Sequence, residues 1–297
     1  MWQFSVARLI VGLSFLIVAS VKDLRTRRVE NELWIVLGII GMVILAAELF
    51  IVEGADWEIY LFFIPLGIIF AEAFIDRPPI YSEGKLNLRV LGWLLIPIIV
   101  YLFLLNDFSE SLLFWRLTMI VGVMLFVYLL YFLYIIYGGA DAKAIISLAI
   151  LLPAYPEIPN LTRHAMAPET VEIMEIAFPF TLVILLNACL VFLIFPVINF
   201  FINLSKGDVD IPKMFFGYRK KVSELEDSFA WPMEYFEDGK MKAKLMPRSD
   251  SEEKIQSLIE NDIDEVWSTP KIPFIAIILI GLVISFIIGN PMAYILG

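Results

Sequence analysis

The sequence predicts an all-α polytopic membrane protein of about seven to eight membrane helices, carrying a small cytoplasmic α+β insertion. Three observations carry that prediction. Of 297 residues, 60% are hydrophobic and only 18% are charged, and the mean hydropathy is +0.83. Apolar runs long enough to cross roughly 30 Å of hydrocarbon recur from one end of the chain to the other. They are continuous rather than alternating, which excludes a β-barrel of ten-residue strands. Finally, fifteen of the 32 acidic residues fall in one segment, 205–270.

The expected spans, in order, are 2–21, 33–52, 59–75, 90–105, 111–137, 144–153, 176–204 and 272–295. The first resembles a signal peptide in place only: it is long, uniformly apolar, contains Arg8 and has no small-residue cleavage site, so it reads as a retained span. The fifth carries a single charge, Arg116, near its start. The sixth is short and ends at Pro153, the pattern of a half-helix or re-entrant element. The last contains Gly289, Asn290 and Pro291 and is expected to break near its end. Three parts follow: a membrane body over 1–204, a soluble insertion over 205–270, and a final transmembrane helix over 271–297. The insertion reads as a charged helix in SEEKIQSLIENDIDE, aromatic turns in MFFGYRKK and WPMEYFEDGK, and some extended chain. No internal repeat or low-complexity tract is visible.

Orientation follows from the lysines and arginines. With the loop after the first span facing the cytoplasm and every element crossing, 19 of the 22 basic residues fall in cytoplasmic loops. The opposite loops EGADWE and NDFSES contain none. That topology puts KDLRTRR, YGGADAK and the segment 205–270 at one cytoplasmic membrane surface.

Several chemistries are excluded early. With Cys189 the single cysteine there is no disulfide framework and no four-cysteine zinc site. The single histidine, His164, lies in a polar loop, which excludes a histidine-rich metal centre and a Ser/His/Asp triad. No metal or organic cofactor is implied, and the net charge of −10 argues against nucleic-acid binding.

Most carboxylates sit at span ends where water reaches them, and Glu48, Glu53, Asp56, Glu58, Asp107 and Glu110 are expected to be solvated boundary charges. Glu72, three residues inside its span, is expected to snorkel. Asp23 and Asp141 differ. Read alone, Asp23 pairs with Arg25, Arg27 or Arg28, and Asp141 caps the short helix behind it. Together they are two carboxylates at span ends on one membrane face. Such a pair cannot ionise both members cheaply and titrates as a unit. It has the chemistry to activate a water for peptide hydrolysis, one group as base and the other as acid. Gly138, Gly139 and Ala140 leave room for an extended substrate backbone beside Asp141.

SVKDLRTRRVEN and YGGADAK together resemble the archaeal preflagellin and prepilin peptidases, aspartic membrane proteases of the GxGD class. In that family an aspartate after the first span, in a basic stretch followed by Asn or Asp, corresponds to Asp23. The Gly-x-Gly-Asp motif followed by a small residue and lysine corresponds to Gly138-Gly139-Ala140-Asp141-Ala142-Lys143, with Ala140 in place of the second glycine. MFFGYRKKV and EVWSTPKIPF also resemble the preflagellin peptidases. On this resemblance 53–110 is the one region left unmatched, adding two spans to the plan of the shorter family members. The bacterial relatives' four-cysteine motif is absent, and nothing suggests methylation.

The resemblance implies an aspartic endopeptidase of the cell membrane, its site facing the cytoplasm. It would cut short basic leader peptides from flagellin-like or type IV pilin-like precursors. Asp23 and Asp141 would be catalytic. Gly138, Gly139, Ala140 and Lys143 would form a substrate-binding loop, in which Lys143 tunes the pair or meets a phospholipid head group. The acidic insertion would attract the basic leader. The competing class is an ion- or proton-coupled transporter using the paired carboxylates. It expects them near midplane on broken helices. An intramembrane protease of the presenilin type would put both within long helices.

Overall fold

The structure, a computed structural model, describes residues 2–82, 84–136, 138–162, 168–225, 228–237, 239–245, 247 and 251–293. His164 lies outside these described residues. The helices are α1 (Trp2–Thr26), α2 (Asn31–Glu48), α3 (Phe63–Glu72), α4 (Leu88–Phe108), α5 (Leu112–Phe132), α6 (Gly139–Leu151), α7 (Pro168–Ala177), α8 (Phe180–Phe192), α9 (Ile194–Lys206), α10 (Lys213–Phe216), α11 (Ser251–Glu260) and α12 (Phe274–Ile287). The strands are β1 (Tyr81–Ser82), β2 (Lys85–Leu86), β3 (Tyr218–Lys221), β4 (Ala230–Pro232), β5 (Glu234–Glu237), β6 (Lys240–Ala243) and β7 (Glu265–Pro270). The chain divides into two compact units. One is Met1–Ala188 with Phe274–Gly297, and the other is Cys189–Pro273.

Among the described residues, five helices are long and apolar enough to cross a membrane: Trp2–Thr26, Asn31–Glu53, Leu88–Phe108, Leu112–Phe132 and Phe180–Lys206. The chain is a multi-pass membrane protein, and the expected count of seven to eight full spans is not reached by helices of that length. Local chemistry explains the difference. Pro65 has no N–H to give, so a regular helix begins only just ahead of it. The stretch therefore divides into a 3-10 segment, Trp57–Phe62, and the ten-residue α3. The expected fifth span ends at Phe132 rather than at position 137. Its 21 residues already reach about 31 Å. The last helix stops at Ile287, and Gly289 follows with φ 83°.

The centre of the first unit is α6. Every residue from Ala144 to Leu151 is buried, the mark of a helix that is apolar all round and enclosed by others. It packs chiefly against α2 and α5. A Cβ at Gly41 of α2 would lie 3.0 Å from the Leu151 backbone nitrogen, so that glycine sets the close approach of the two helices. Helices α8 and α12 meet in the same way. A Cβ at Gly281 would lie 2.8 Å from the Ile184 carbonyl oxygen. Beside it the Asn187 amide donates to Ser285 Oγ at 2.8 Å and to the Gly289 carbonyl at 3.3 Å.

In the second unit, β7 is the middle strand of an antiparallel sheet ordered β3-β7-β4, and β5 and β6 form a hairpin. Its core gathers Val222, Leu225, Ala230, Ile255, Leu258 and Val266. The charged stretch SEEKIQSLIE forms α11, as its spacing of Ile255 and Leu258 requires.

Candidate active site

Asp23 sits in the last turn of α1, and Asp141 in the first turn of α6. The sequence places a helix start behind Asp141. The structure starts it earlier, at Gly139, with Gly138 as the N-cap. Asp141 is thus the third helical residue rather than the cap, and the motif GGADAK belongs to the helix itself. Its carboxylate folds back over Gly138, where Oδ2 occupies the space that a Cβ at that position would need. Gly138 has extended backbone, φ −81° and ψ 117°. The glycine is therefore needed for space and not for a left-handed turn. Ala140 is helical and lies outside the positive-φ residues. The departure from a glycine at that place costs no backbone strain.

Asp23 and Asp141 lie near enough for the charge of the first to bear on the second. Helix α6 is thirteen residues long and is not one of the span-length helices. Burial, with the neighbouring Asp23 charge as the second cause, pushes the Asp141 carboxyl up to about 7. Asp23 meets a different environment. It too is partly withdrawn from water, which is the largest influence on it, but it also feels the charge of Arg27 and accepts a hydrogen bond from the Ile275 backbone N–H, in the first turn of α12. Both carboxylates are drawn from water, but Asp23 also meets a cation and a helix N-terminus, whereas Asp141 is more deeply enclosed and meets a like charge. That asymmetry is the arrangement in which one of two acids keeps its proton near neutrality.

The remaining site residues split. Gly139 lies beneath the Tyr131 hydroxyl, which a Cβ there would meet at 3.6 Å. Lys143 turns to α2: Nζ donates to Asn31 Oδ1 at 2.7 Å and stands 5.4 Å over the Phe74 ring. Sequence reasoning left Ile275, Tyr131 and the tie between Lys143 and Asn31 unassigned. Asn31 did carry a signal, since it closes the stretch SVKDLRTRRVEN. Ile275 carried none, being one isoleucine in an apolar run.

The expectations for two carboxylates are corrected, one of them a boundary charge. Glu48 is not merely solvated: it pairs at 2.7 Å with Arg8, whose side chain is 6% exposed. Glu72 accepts from Arg77 at 2.6 Å and from the Trp93 indole at 2.8 Å, so it is held rather than snorkelling alone. Arg8, Glu48, Arg116 and Glu175 line a cavity of about 140 Å³. Arg116 lies 2.6 Å from Glu175. This cavity is reached from Ser5 at the start of α1. Asp23 is eighteen residues further along the helix, about 27 Å away. It is remote from the paired aspartates.

Comparison with known proteins accords with this arrangement. The type IV leader peptidase model, Peptidase A24, matches residues 10–86, and the model of the archaeal A24 peptidase C-terminus, type II, matches 210–290. Together they cover more than half of the chain. The chain belongs to the A24 peptidase family. It is a protease of the prepilin and preflagellin peptidase type. The preflagellin peptidases of Methanocaldococcus jannaschii and Methanococcus voltae are 22% and 23% identical to it. In both cases the match covers 95% of this chain, and 94% and 95% of the relative. That of Methanococcus maripaludis is 24% identical over 95% of this chain and 94% of its own. These lengths correct one expectation: 53–110 is not left unmatched, because the matches to these relatives cover 95% of the chain and so run through it. Asp23 lies within the first family range, whereas Asp141 lies between the two.

Proposed function

We propose that this A24 peptidase is a membrane aspartic endopeptidase whose reacting groups are Asp23 and Asp141. Its substrates are flagellin-like or type IV pilin-like precursors, from which it removes a short basic leader at the cytoplasmic membrane face. One observation carries the reading: the two carboxylates are electrostatic neighbours in unlike surroundings, with Asp141 held near 7. At neutral pH such a pair keeps one proton between two carboxylates. The ionised member takes a proton from water, and the protonated member donates to the scissile carbonyl oxygen. The preflagellin peptidases matched above support the substrate class.

The cytoplasmic face is supported by the basic residues: with every apolar element taken to cross, short ones included, 19 of 22 fall on one side. A precursor with a basic leader and a hydrophobic helix would present its scissile bond at that surface. The segment 205–270 carries fifteen acidic residues against ten basic ones, a field that attracts such a leader. Gly138, Gly139 and Ala140 give a substrate strand close access to Asp141. Lys143 serves here by holding the N-terminus of α6 against α2.

Co-expression with an epitope-tagged flagellin or pilin precursor tests the reading. Wild-type protein is expected to produce a leader-sized mobility shift. Asp23→Asn and Asp141→Asn are each expected to abolish it while the protein stays in the membrane. Cleavage retained in either variant would refute the paired-carboxylate reading.

A further inference from the structure

Arg27 stands directly after α1, one helical turn beyond Asp23. Its backbone N–H donates to the Asp23 carbonyl oxygen at 3.0 Å. It does so with φ 55°, in the left-handed region. Glycine takes this conformation freely at a helix end, whereas an arginine with its Cβ is disfavoured there. The side chain is not spread into water. Arg27 is half-buried, and its Nε and Nη1 atoms are enclosed by protein. Its charge bears on the Asp23 carboxylate. A disfavoured backbone at a partly enclosed cation whose charge bears on a reacting carboxylate suggests a functional reason for the residue.

The other charged groups around Asp23 are otherwise engaged or turned outward. Lys22 is paired with Glu30 at 2.6 Å, and Arg25 and Arg28 are exposed. Helix α2 offers Asn31, already bound to Lys143, and the exposed Glu32. Helix α6 offers Asp141. Helix α12 has no titratable side chain and contributes the Ile275 N–H.

We propose that Arg27 is a positioning residue that keeps Asp23 ionised, which makes Asp23 the base and Asp141 the acid of the pair. The inference rests on the endopeptidase reading above and adds the division of roles. Asp23 takes a proton from water as the water oxygen bonds to the scissile carbonyl carbon. Asp141 gives its proton to the carbonyl oxygen, leaving a geminal diol. When the C–N bond breaks, the leaving nitrogen receives the proton held by Asp23, and Asp141 recovers a proton from the diol. One water is consumed, and both carboxyl groups return to their starting states.

The test is a set of pH–rate profiles for cleavage of a tagged precursor by the purified full-length protein. Arg27→Gly removes the charge and relieves the left-handed backbone, so it is expected to fold at least as well as wild type. Its acid limb is expected to move up by about one pH unit or more, because Asp23 then holds its proton longer. Arg27→Lys, which keeps the charge, is expected to hold the limb near the wild-type position. A loss of rate in Arg27→Gly with an unmoved limb would overturn the proposal. If that variant is too slow to profile, added methylguanidinium is expected to restore cleavage at neutral pH, and failure to restore it counts against Arg27. Asp23→Asn and Asp141→Asn run alongside. Cleavage by either one sinks the endopeptidase reading itself, whereas two inactive variants beside an unmoved Arg27→Gly limb sink the role of Arg27 alone.

Discussion

A methyl group at position 138 would take the space now filled by Asp141 Oδ2. Gly138→Ala must therefore displace the carboxylate or the loop, and a shift of about 1 Å at a reacting group costs on the order of a hundredfold in rate. A loss of that size is expected in single-turnover cleavage, with membrane levels unchanged. Ala140 is the opposite case. It is already helical, so Ala140→Gly is expected to leave cleavage within about twofold and to lower stability by about 0.5–1 kcal/mol. Asp141 also sets a pH dependence of stability. The native chain holds its proton up to about 7, whereas an unfolded aspartate releases it near 4. Between those values the native state binds more protons, so stability falls as pH rises. Asn cannot ionise. The melting-temperature advantage of Asp141→Asn over wild type is expected to grow from pH 5 to pH 8, and an equal difference at both would contradict it.

Helix pairing depends on a few small or paired residues in otherwise uniform apolar surfaces. Gly41 brings α2 against the end of α6, and a side chain there meets backbone, which cannot turn aside. Gly41→Val is expected to destabilise by about 1–3 kcal/mol, read from thermal unfolding in detergent. Because α6 carries Asp141, the same variant should lower cleavage. At the far end of α1, Arg8 depends on Glu48 for its charge partner. Removing Glu48 alone strands a buried guanidinium, so Glu48→Gln is expected to cost toward the lower end of about 3–5 kcal/mol. Replacing both residues by apolar ones should cost less than the two single changes summed, since no charge is then left unpaired.

For the whole molecule, the distribution of lysine and arginine, with every apolar element crossing, predicts that the segment 205–270 lies on the cytoplasmic side of the membrane. In a Cys189→Ser background, Ser223→Cys and Ser109→Cys place single thiols at exposed positions of the second unit and of the loop between α4 and α5. An impermeant maleimide applied to intact cells is expected to label position 109 and to spare position 223 until the cells are opened. The reverse pattern would overturn the orientation.

The membrane class, the charged late segment and both aspartate motifs were legible in the sequence, because long apolar runs and isolated carboxylates are local features. Neither the number of full-length spans nor the distant partners of Asp23, Ile275 and Asp141, was legible. Helices in lipid are apolar on every side, so their pattern does not say which face meets which neighbour. Packing at Gly41 and Gly281 decides that. Arg27 was one of three local cations the sequence offered, whereas only the assembled fold brings the start of α12 against Asp23 and sets Asp141 within reach of its charge in surroundings that favour the Asp141 proton. Those contacts join residues far apart in the chain, and the physical reason they escape the sequence is that each depends on close packing rather than on periodicity.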